Sequence, residues 1–148
     1  MGKKEDWIWV AGLFDGEGCV MIVRREPKGG SKSVNHLLSI QMNMSHKQTM
    51  EKVFDIVGCG SFHKHISKLE GRKVQWRWDC TSNNAYNFAK KILPYSVTKK
   101  KELELAIIFQ EKHFIKLPRQ YKLSQKIVED REKFHIKMKN LKKEGEYV

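Results

Sequence analysis

The chain has 148 residues, a length that fits one domain with a substantial hydrophobic core, and we treat residues 1–148 as a single domain. Its formal net charge of +12 favours a polyanionic partner, and we expect no small-molecule substrate. The three cysteines, Cys19, Cys59 and Cys80, are widely spaced, which excludes a disulfide framework and a zinc finger.

The same features indicate where the protein resides. Cysteines in this pattern are typical of a reducing compartment. No apolar run approaches the roughly 20 residues of a membrane span, so no membrane partner is expected, and residues 1–6 do not resemble a signal peptide. We therefore expect a soluble intracellular protein, from a prokaryotic cytoplasm or an organelle matrix.

The first predicted element is a helix that leads into a glycine-rich turn over residues 7–18. Three apolar residues at i, i+3 and i+7 form a stripe suited to a core: Trp7, Val10 and Phe14. Gly12 and Gly16 stand four apart on one face. Because each glycine costs a helix about 1 kcal/mol, the pair suggests the close approach of another backbone. Two carboxylates, Asp15 and Glu17, lie where the helix ends.

The next residues predict a hairpin followed by a short helix. Residues 19–25 are rich in β-branched side chains, residues 27–32 form a flexible basic loop, and residues 38–44 alternate between apolar and polar. Ser45 and Gln48 match a capping box that starts a short helix, which ends at Gly58.

A second hairpin and further helices complete the chain. Residues 61–66 and 73–80 predict two strands, and a helix then runs to Leu93, where Pro94 closes it. Thr98 can cap the following helix, Pro118 ends it, and a charged helix covers about 121–143. The two hairpins can form one four-stranded antiparallel sheet with helices on one face, an α+β fold.

Residues 10–18, VAGLFDGEG, resemble the signature of the LAGLIDADG homing endonucleases, with all three glycines and both acids present. The resemblance implies an αββαββα fold and covers about residues 7–109. We place the core of the domain at about 7–116, and the C-terminal helix of about 120–143 has no match in the family pattern. The resemblance also implies that the first helix packs against a second copy of itself. Because the signature occurs once, the family pattern implies a homodimer, and one carboxylate per chain is too little to hold metals at a phosphodiester. We expect the contact at Trp9, Gly12 and Gly16.

The uncovered face of the predicted sheet suits base edges in the DNA major groove, which admits a β-ribbon. Its outward positions are Met21, Val23, Arg25, Ser39, Gln41, Asn43, Ser61, His63, His65, Gln75, Arg77 and Asp79. Cations at the hairpin tips and flanks would hold phosphates: Lys28, Lys32, Lys64, Lys68, Arg72 and Lys73. The alternative is that this face is simply the wet side of an antiparallel sheet. Met21 and Val23 are apolar there, and a thymine methyl would cover them.

The resemblance also implies the cutting residues. Glu17 would bind catalytic Mg²⁺ together with the Gly16 carbonyl, although the commoner residue at the position of Glu17 is Asp. His46 aligns with a water-ordering glutamine, and Lys99 keeps the family spacing after Pro94 and would stabilise developing charge. The alternatives are an exposed helix-start histidine and an ordinary lysine run. Asp15 is expected to bond local backbone.

Together with the resemblance, these observations predict a homodimeric, Mg²⁺-dependent endonuclease for double-stranded DNA with a near-palindromic site of roughly 20 base pairs. The resemblance implies that both strands are cut. The resemblance places its gene in an intron or a similar mobile element. Two alternatives use the same fold. One is an intron maturase that binds RNA and assists splicing, which needs the basic surface but not the acids. The other is a DNA-binding regulator that does not cleave.

Overall fold

The computed structural model describes residues 2–29, 33–113 and 124–144. Within them, five α-helices and four strands follow in the order α1 Lys4–Glu17, β1 Gly18–Arg25, β2 Asn35–Met44, α2 Lys47–Val57, β3 Ser61–His65, β4 Gln75–Thr81, α3 Ser82–Ile92, a 3₁₀ turn Leu93–Tyr95, α4 Lys100–His113 and α5 Gln125–Leu141. The predicted α+β class and αββαββα order are confirmed, and α4 and α5 extend that core.

The four strands form one antiparallel sheet in the order β1-β2-β4-β3. Side chains alternate across it, so that one face is buried beneath the helices. The buried positions are Val20 and Ile22 on β1, Leu38, Ile40 and Met42 on β2, and Trp78 and Cys80 on β4. The opposite face carries the alternate residues of each strand and stays at least partly exposed. The predicted sheet with helices on one face is confirmed.

Aromatic side chains pack α1 against the sheet. Phe14 meets Phe88 of α3 edge-on, with ring centroids 5.4 Å apart, and Phe88 lies 4.7 Å from Trp78 of β4. The buried indole of Trp78 donates a hydrogen bond to the Cys59 carbonyl at 2.9 Å. Burying a phenylalanine contributes about 1.5–3 kcal/mol, so this cluster fixes α1 firmly. The predicted apolar stripe of α1 is confirmed.

Helix α5 is attached to β2 and β1 by a buried histidine–carboxylate pair. His36 Nε2 of β2 lies 2.7 Å from Glu132 Oε2 of α5, and Arg24 Nε of β1 lies 3.2 Å from the same oxygen. Burial lowers the pKa of His36 more than the neighbouring carboxylate raises it. The hydrogen bond with His36 lowers the pKa of Glu132 in turn. The neutral imidazole and the charged carboxylate are therefore the favoured forms.

A second histidine–carboxylate pair joins α5 to α4. His113 Nε2 lies 2.8 Å from Asp130 Oδ2, and the buried Arg131 donates from its guanidinium to the His113 carbonyl at 3.2 Å. Burial lowers the pKa of His113, and Lys112 lowers the pKa of Asp130. Met138, which is 1% exposed, adds an apolar contact from the predicted stripe of this helix.

Several predicted boundaries were wrong. His46, not Ser45, caps α2: its ring nitrogen Nδ1 accepts from the Thr49 N–H at 3.3 Å, in the place of a serine oxygen. Strand β4 starts at Gln75 rather than at residue 73, because Lys73 and Val74 are exposed and belong to the connection. Residues 30–32 and 114–123, which include Lys32, Pro118 and the predicted start of the last helix, lie outside the described residues.

In the part of the chain that the structure describes, no helix is both long and apolar enough to cross a membrane.

Candidate nucleic-acid interface and metal-binding helix end

The motif helix stays helical through both acids. Helix α1 ends at Glu17, and β1 begins at the next residue, so Asp15 and Glu17 lie in the last helical turn rather than in a turn after it. Gly18 allows α1 to pass directly into β1, because a Cβ at that position would overlap the Phe14 ring. The last glycine of the motif is therefore needed for a close approach to the core.

The other two motif glycines lie on the surface of α1. A Cβ added at Gly12 or Gly16 would meet no described atom within 4 Å. Trp9 on the same side is 37% exposed, and the Lys52 ammonium lies 4.7 Å over its ring. The close approach that these glycines suggest therefore does not come from the described part of this chain.

Glu17 is the exposed carboxylate at the end of α1. Among the described residues, none forms a hydrogen bond or an ion pair with it. The Gly16 carbonyl lies in the last helical turn, where carbonyls lack an intrahelical partner. Both groups offer oxygen, the ligand atom that Mg²⁺ prefers. They would fill part of its octahedral shell, and the described residues contain no group of three His, Cys, Asp or Glu side chains that could hold a metal.

Asp15 binds backbone, but the expectation of a local partner was wrong. Its Oδ2 accepts from the Val97 N–H at 2.8 Å and its Oδ1 from the Lys99 N–H at 3.1 Å, 82 and 84 residues further along the chain. The 3₁₀ turn after α3 returns the chain to α1 at this point. Thr98, the predicted cap of α4, forms no side-chain hydrogen bond with a described residue. The Asp15 carboxylate supplies negative charge there instead.

Lys99 lies on a cavity of about 550 Å³ between the start of β1, the start of α4 and the end of α5. Lys101 and Lys142 also line it. Lys101 pairs with Glu144 at 3.3 Å, and the Lys142 ammonium donates to Cys19 Sγ at 3.3 Å. Glu102 and Glu144 also line the cavity, so its lysines exceed its carboxylates by one, and this small excess of positive charge favours a phosphate.

His46 is exposed at the start of α2, four residues beyond Met42, which pairs with Gly18. Its Nδ1 is used as the α2 cap, with the Thr49 hydroxyl also 2.7 Å away. An imidazole that accepts at Nδ1 carries its proton at Nε2 when neutral. The second ring nitrogen can then donate a hydrogen bond to a water or a phosphate oxygen.

The strand register brings the predicted open-face residues together in rows. Cys19, Gln41, Asp79 and Ser61 form one row across the four strands, Asn43, Arg77 and His63 form the next, and Gln75 pairs with His65 beyond it. In the other direction, Met21, Ser39 and Thr81 form a row, followed by Val23 with Leu37 and Arg25 with Asn35. The predicted set is thus one continuous surface.

Neighbouring side chains on this surface already contact each other. Arg77 Nε donates to Asn43 Oδ1 at 2.8 Å, and His63 Nε2 lies 3.8 Å from Asp79 Oδ2. Such contacts hold a guanidinium in place before it meets a ligand. Lys28 and Lys73 are exposed in the connections that flank the strands.

Four residues of the open face were missed by the sequence analysis: Cys19, Asn35, Leu37 and Thr81. Strand β2 was predicted to begin at Leu38, which left its first three residues unassigned. Leu37 and Asn35 could have been found from the sequence, because they precede Ser39 by two and four residues and therefore lie on the same face of the strand.

Comparisons with known proteins agree with this geometry. The profile of the LAGLIDADG endonuclease family matches residues 10–110. No curated protein matches the chain. A crystal structure of the homing endonuclease I-CvuI in complex with the I-CreI target, with magnesium and uncleaved DNA, is 16% identical and has a TM-score of 0.76. The alignment covers 99% of this chain and 89% of that one.

Two further solved structures have the same fold. The archaeal intron-encoded homing endonuclease I-Vdi141I, complexed with DNA, is 11% identical with a TM-score of 0.73, covering 99% of this chain and 91% of that one. The meganuclease I-SmaMI, bound to uncleavable DNA, is 15% identical with a TM-score of 0.67; the match covers 94% of this chain but 46% of that one. From the profile match and the shared fold, we conclude that the chain belongs to the LAGLIDADG endonuclease family.

Proposed function

We propose that this protein is a site-specific DNA endonuclease that hydrolyses phosphodiesters of double-stranded DNA with a divalent cation, as a homodimer. The observation that carries the proposal is the arrangement at the end of α1. The exposed Glu17 carboxylate lies where the open sheet face begins, and Asp15 in the same helical turn holds the backbone of Lys99. Membership of the endonuclease family and the DNA complexes of the structural neighbours support it.

The open face would read base edges in the major groove. Arg25 and Arg77 would address guanine, whose O6 and N7 accept from a guanidinium. The amides Gln41, Asn43 and Gln75 would address adenine, and the exposed Lys28 and Lys73 would hold phosphates. The remaining proposed contacts are Ser39, Ser61, His63, His65, Asp79, Met21, Val23 and Lys32.

Glu17 and the Gly16 carbonyl would hold Mg²⁺ at the scissile phosphate. The ion would activate a water and neutralise charge on the phosphate and the leaving oxygen. The ammonium of Lys99 would offset the negative charge that develops on the phosphate, in a position set by Asp15. His46 would orient the attacking water through Nε2–H, because Nδ1 is occupied by the α2 cap. Glu17, His46 and Lys99 are thus the proposed catalytic residues.

A second copy of the chain would complete the site. One Glu17 and one Gly16 carbonyl supply fewer than the six ligands of Mg²⁺, and two helix ends meeting at a two-fold axis would double them. At Gly12 and Gly16 no described atom lies within 4 Å of an added Cβ, so the described part of the chain leaves this side of α1 open at the two glycines. The two sheets would then cover two half-sites.

The test pairs binding with cleavage. Duplexes bound by the protein in EDTA are selected from a library with about 24 randomised base pairs, a little over two helical turns. The selected site is placed in a plasmid and incubated with Mg²⁺. We expect the wild type to linearise the plasmid and Glu17→Gln to bind it without cutting. Glu104→Gln, the same change on the exposed side of α4, is the control and should cut normally.

The other outcomes separate the rival functions. Binding of the selected DNA without cleavage by the wild type would refute the endonuclease and favour a regulator. Failure to select any DNA, with tight binding to the intron RNA of its own gene, would favour a maturase. Cleavage by Glu17→Gln at the wild-type rate would refute the assigned metal ligand.

A further inference from the structure

An apolar patch interrupts the polar surface of the open sheet face. It consists of Met21, Val23 and Leu37. Val23 is paired directly with Leu37 across β1 and β2, and Met21 stands two residues before Val23 on the same face. The intervening Ile22 and the adjacent Leu38 point into the core and are 3% and 0% exposed. The patch residues are half-buried and lie outside the core cluster.

The surroundings of this patch are polar. Arg25 and Asn35 form the next row toward the hairpin tip, and Gln41 lies in the row beyond Ser39 on the other side. A stable protein–protein contact needs about 800 Å² from each partner, more than three half-buried side chains present. The size of the patch therefore fits a small apolar group on a ligand that is otherwise polar.

We propose that the apolar patch reads thymine methyl groups in the major groove, an inference that rests on the DNA binding proposed above. The C5-methyl of thymine is the apolar group that base edges present in that groove, whereas the other groups are hydrogen-bond donors and acceptors. A two-stranded β-ribbon fits the groove, and β4 pairs with β2 only as far as Ser39, so β1 and β2 alone carry the patch. The net charge of +12 favours a nucleic acid on this surface.

The register also gives the position of these thymines. Two residues along a strand cover about 6.8 Å, close to two base pairs at 3.4 Å each. On β1, Met21 and Val23 lie four and six residues beyond Glu17, the last residue of α1. The thymines are therefore expected roughly four to six base pairs outward from the cleaved bond in each half-site.

The test replaces thymine by uracil, which lacks the methyl group and keeps the pairing edge. The best duplex from the randomised selection is synthesised with uracil at these positions, or at positions nearer the centre as a DNA control. Affinity is measured for the wild type and for the triple variant Met21→Ser, Val23→Ser, Leu37→Ser, because threonine would keep a methyl group that can itself contact a thymine methyl. Val74→Ser makes a similar change at an exposed residue in the connection before β4, away from the patch. Thermal unfolding checks that the variants fold.

We expect each uracil under the patch to weaken wild-type binding about fourfold, the value of one buried methyl group. The triple variant should show no difference between thymine and uracil, and Val74→Ser should behave as the wild type. Equal wild-type affinity for both duplexes, or selected sites without thymine at these positions, would overturn the inference while DNA binding stands. If no DNA is selected, the proposed function fails and the inference with it.

Discussion

Replacing Asp15 by Asn should lower both the stability of the fold and the rate of cleavage. Asp15 accepts two backbone N–H groups, from Val97 and Lys99, at 2.8 and 3.1 Å. Asparagine has nearly the same shape, but one of its two terminal atoms becomes a donor and the other loses its charge. One N–H therefore loses its acceptor, and the remaining hydrogen bond becomes a neutral one.

The magnitude follows from the kind of bond that is lost. Hydrogen bonds to charged groups contribute about 1.5–3 kcal/mol and neutral ones about 0.5–1.5. Because Asp15 is partly exposed, water can replace part of the interaction, and we expect a loss of about 1.5 kcal/mol. For a chain of this length that lowers Tm by about 3–6 °C at fixed protein concentration.

The substitution should affect the cleavage rate more strongly than it affects the stability of the fold. A small displacement of a catalytic group can cost on the order of 100-fold in rate, so the freed Lys99 backbone should lower the single-turnover cleavage rate at least about tenfold. DNA affinity should change little, because Asp15 is not on the open face. Asp6→Asn is the control: Asp6 accepts the Lys3 N–H at 3.0 Å at the far end of α1. It should lower Tm slightly and leave cleavage intact.

Two results would refute this reasoning. If Asp15→Asn melted with the wild type, the two hydrogen bonds would contribute nothing to the fold. If it melted earlier but cleaved at the wild-type rate, the position of Lys99 would not depend on Asp15, or Lys99 would not act at the phosphate.

Three further predictions concern the α5 attachment, the motif glycines and base reading. Because its pKa is lowered in the fold, His36 favours the folded state at neutral pH, and this contribution is lost as pH falls below 6.5, where the unfolded chain takes up the proton. Between about pH 7 and 5.5, the Tm of the wild type should therefore fall more than the Tm of His36→Gln. Gly12→Ala should raise helix propensity by about 1 kcal/mol, since its Cβ meets open space in one chain, yet weaken the dimer at least about tenfold in sedimentation; an unchanged dimer would exclude a close contact there. Arg77→Met, which removes the hydrogen-bond donors, should reduce the preference for one guanine by about 1–3 kcal/mol in a competition assay, and an unchanged preference would show that Arg77 does not read a base.

The fold was largely predictable because its periodicities are strong. The alternation at Leu38, Ile40 and Met42 and the stripe of Trp7, Val10 and Phe14 both match buried positions. The ends of elements were less predictable, since they depend on single side chains. His46 caps α2 through a ring nitrogen, a role that residue type alone favours for the neighbouring serine.

Contacts between distant residues could not be read from local patterns. The pairing of His36 with Glu132 attaches a helix that sequence comparison left unassigned, and each partner alone resembles an ordinary polar surface residue. Leu37 likewise belongs to the open face only once the register with Val23 is known. Local spacing predicts which face a side chain occupies, whereas a partner 96 residues away is set by tertiary packing.

The different roles of the two motif acids follow from helix geometry. Residues two apart in an α-helix are turned by about 200° around the axis, so Asp15 and Glu17 cannot face the same neighbour. Asp15 faces the start of α4, and its two carboxylate oxygens accept hydrogen bonds from two backbone N–H groups. Glu17 therefore projects from the other flank of the exposed side, with Gly16 between them. One helical turn thus holds the loop that carries Lys99 with its first acid and leaves its second acid exposed, as the proposed metal site requires.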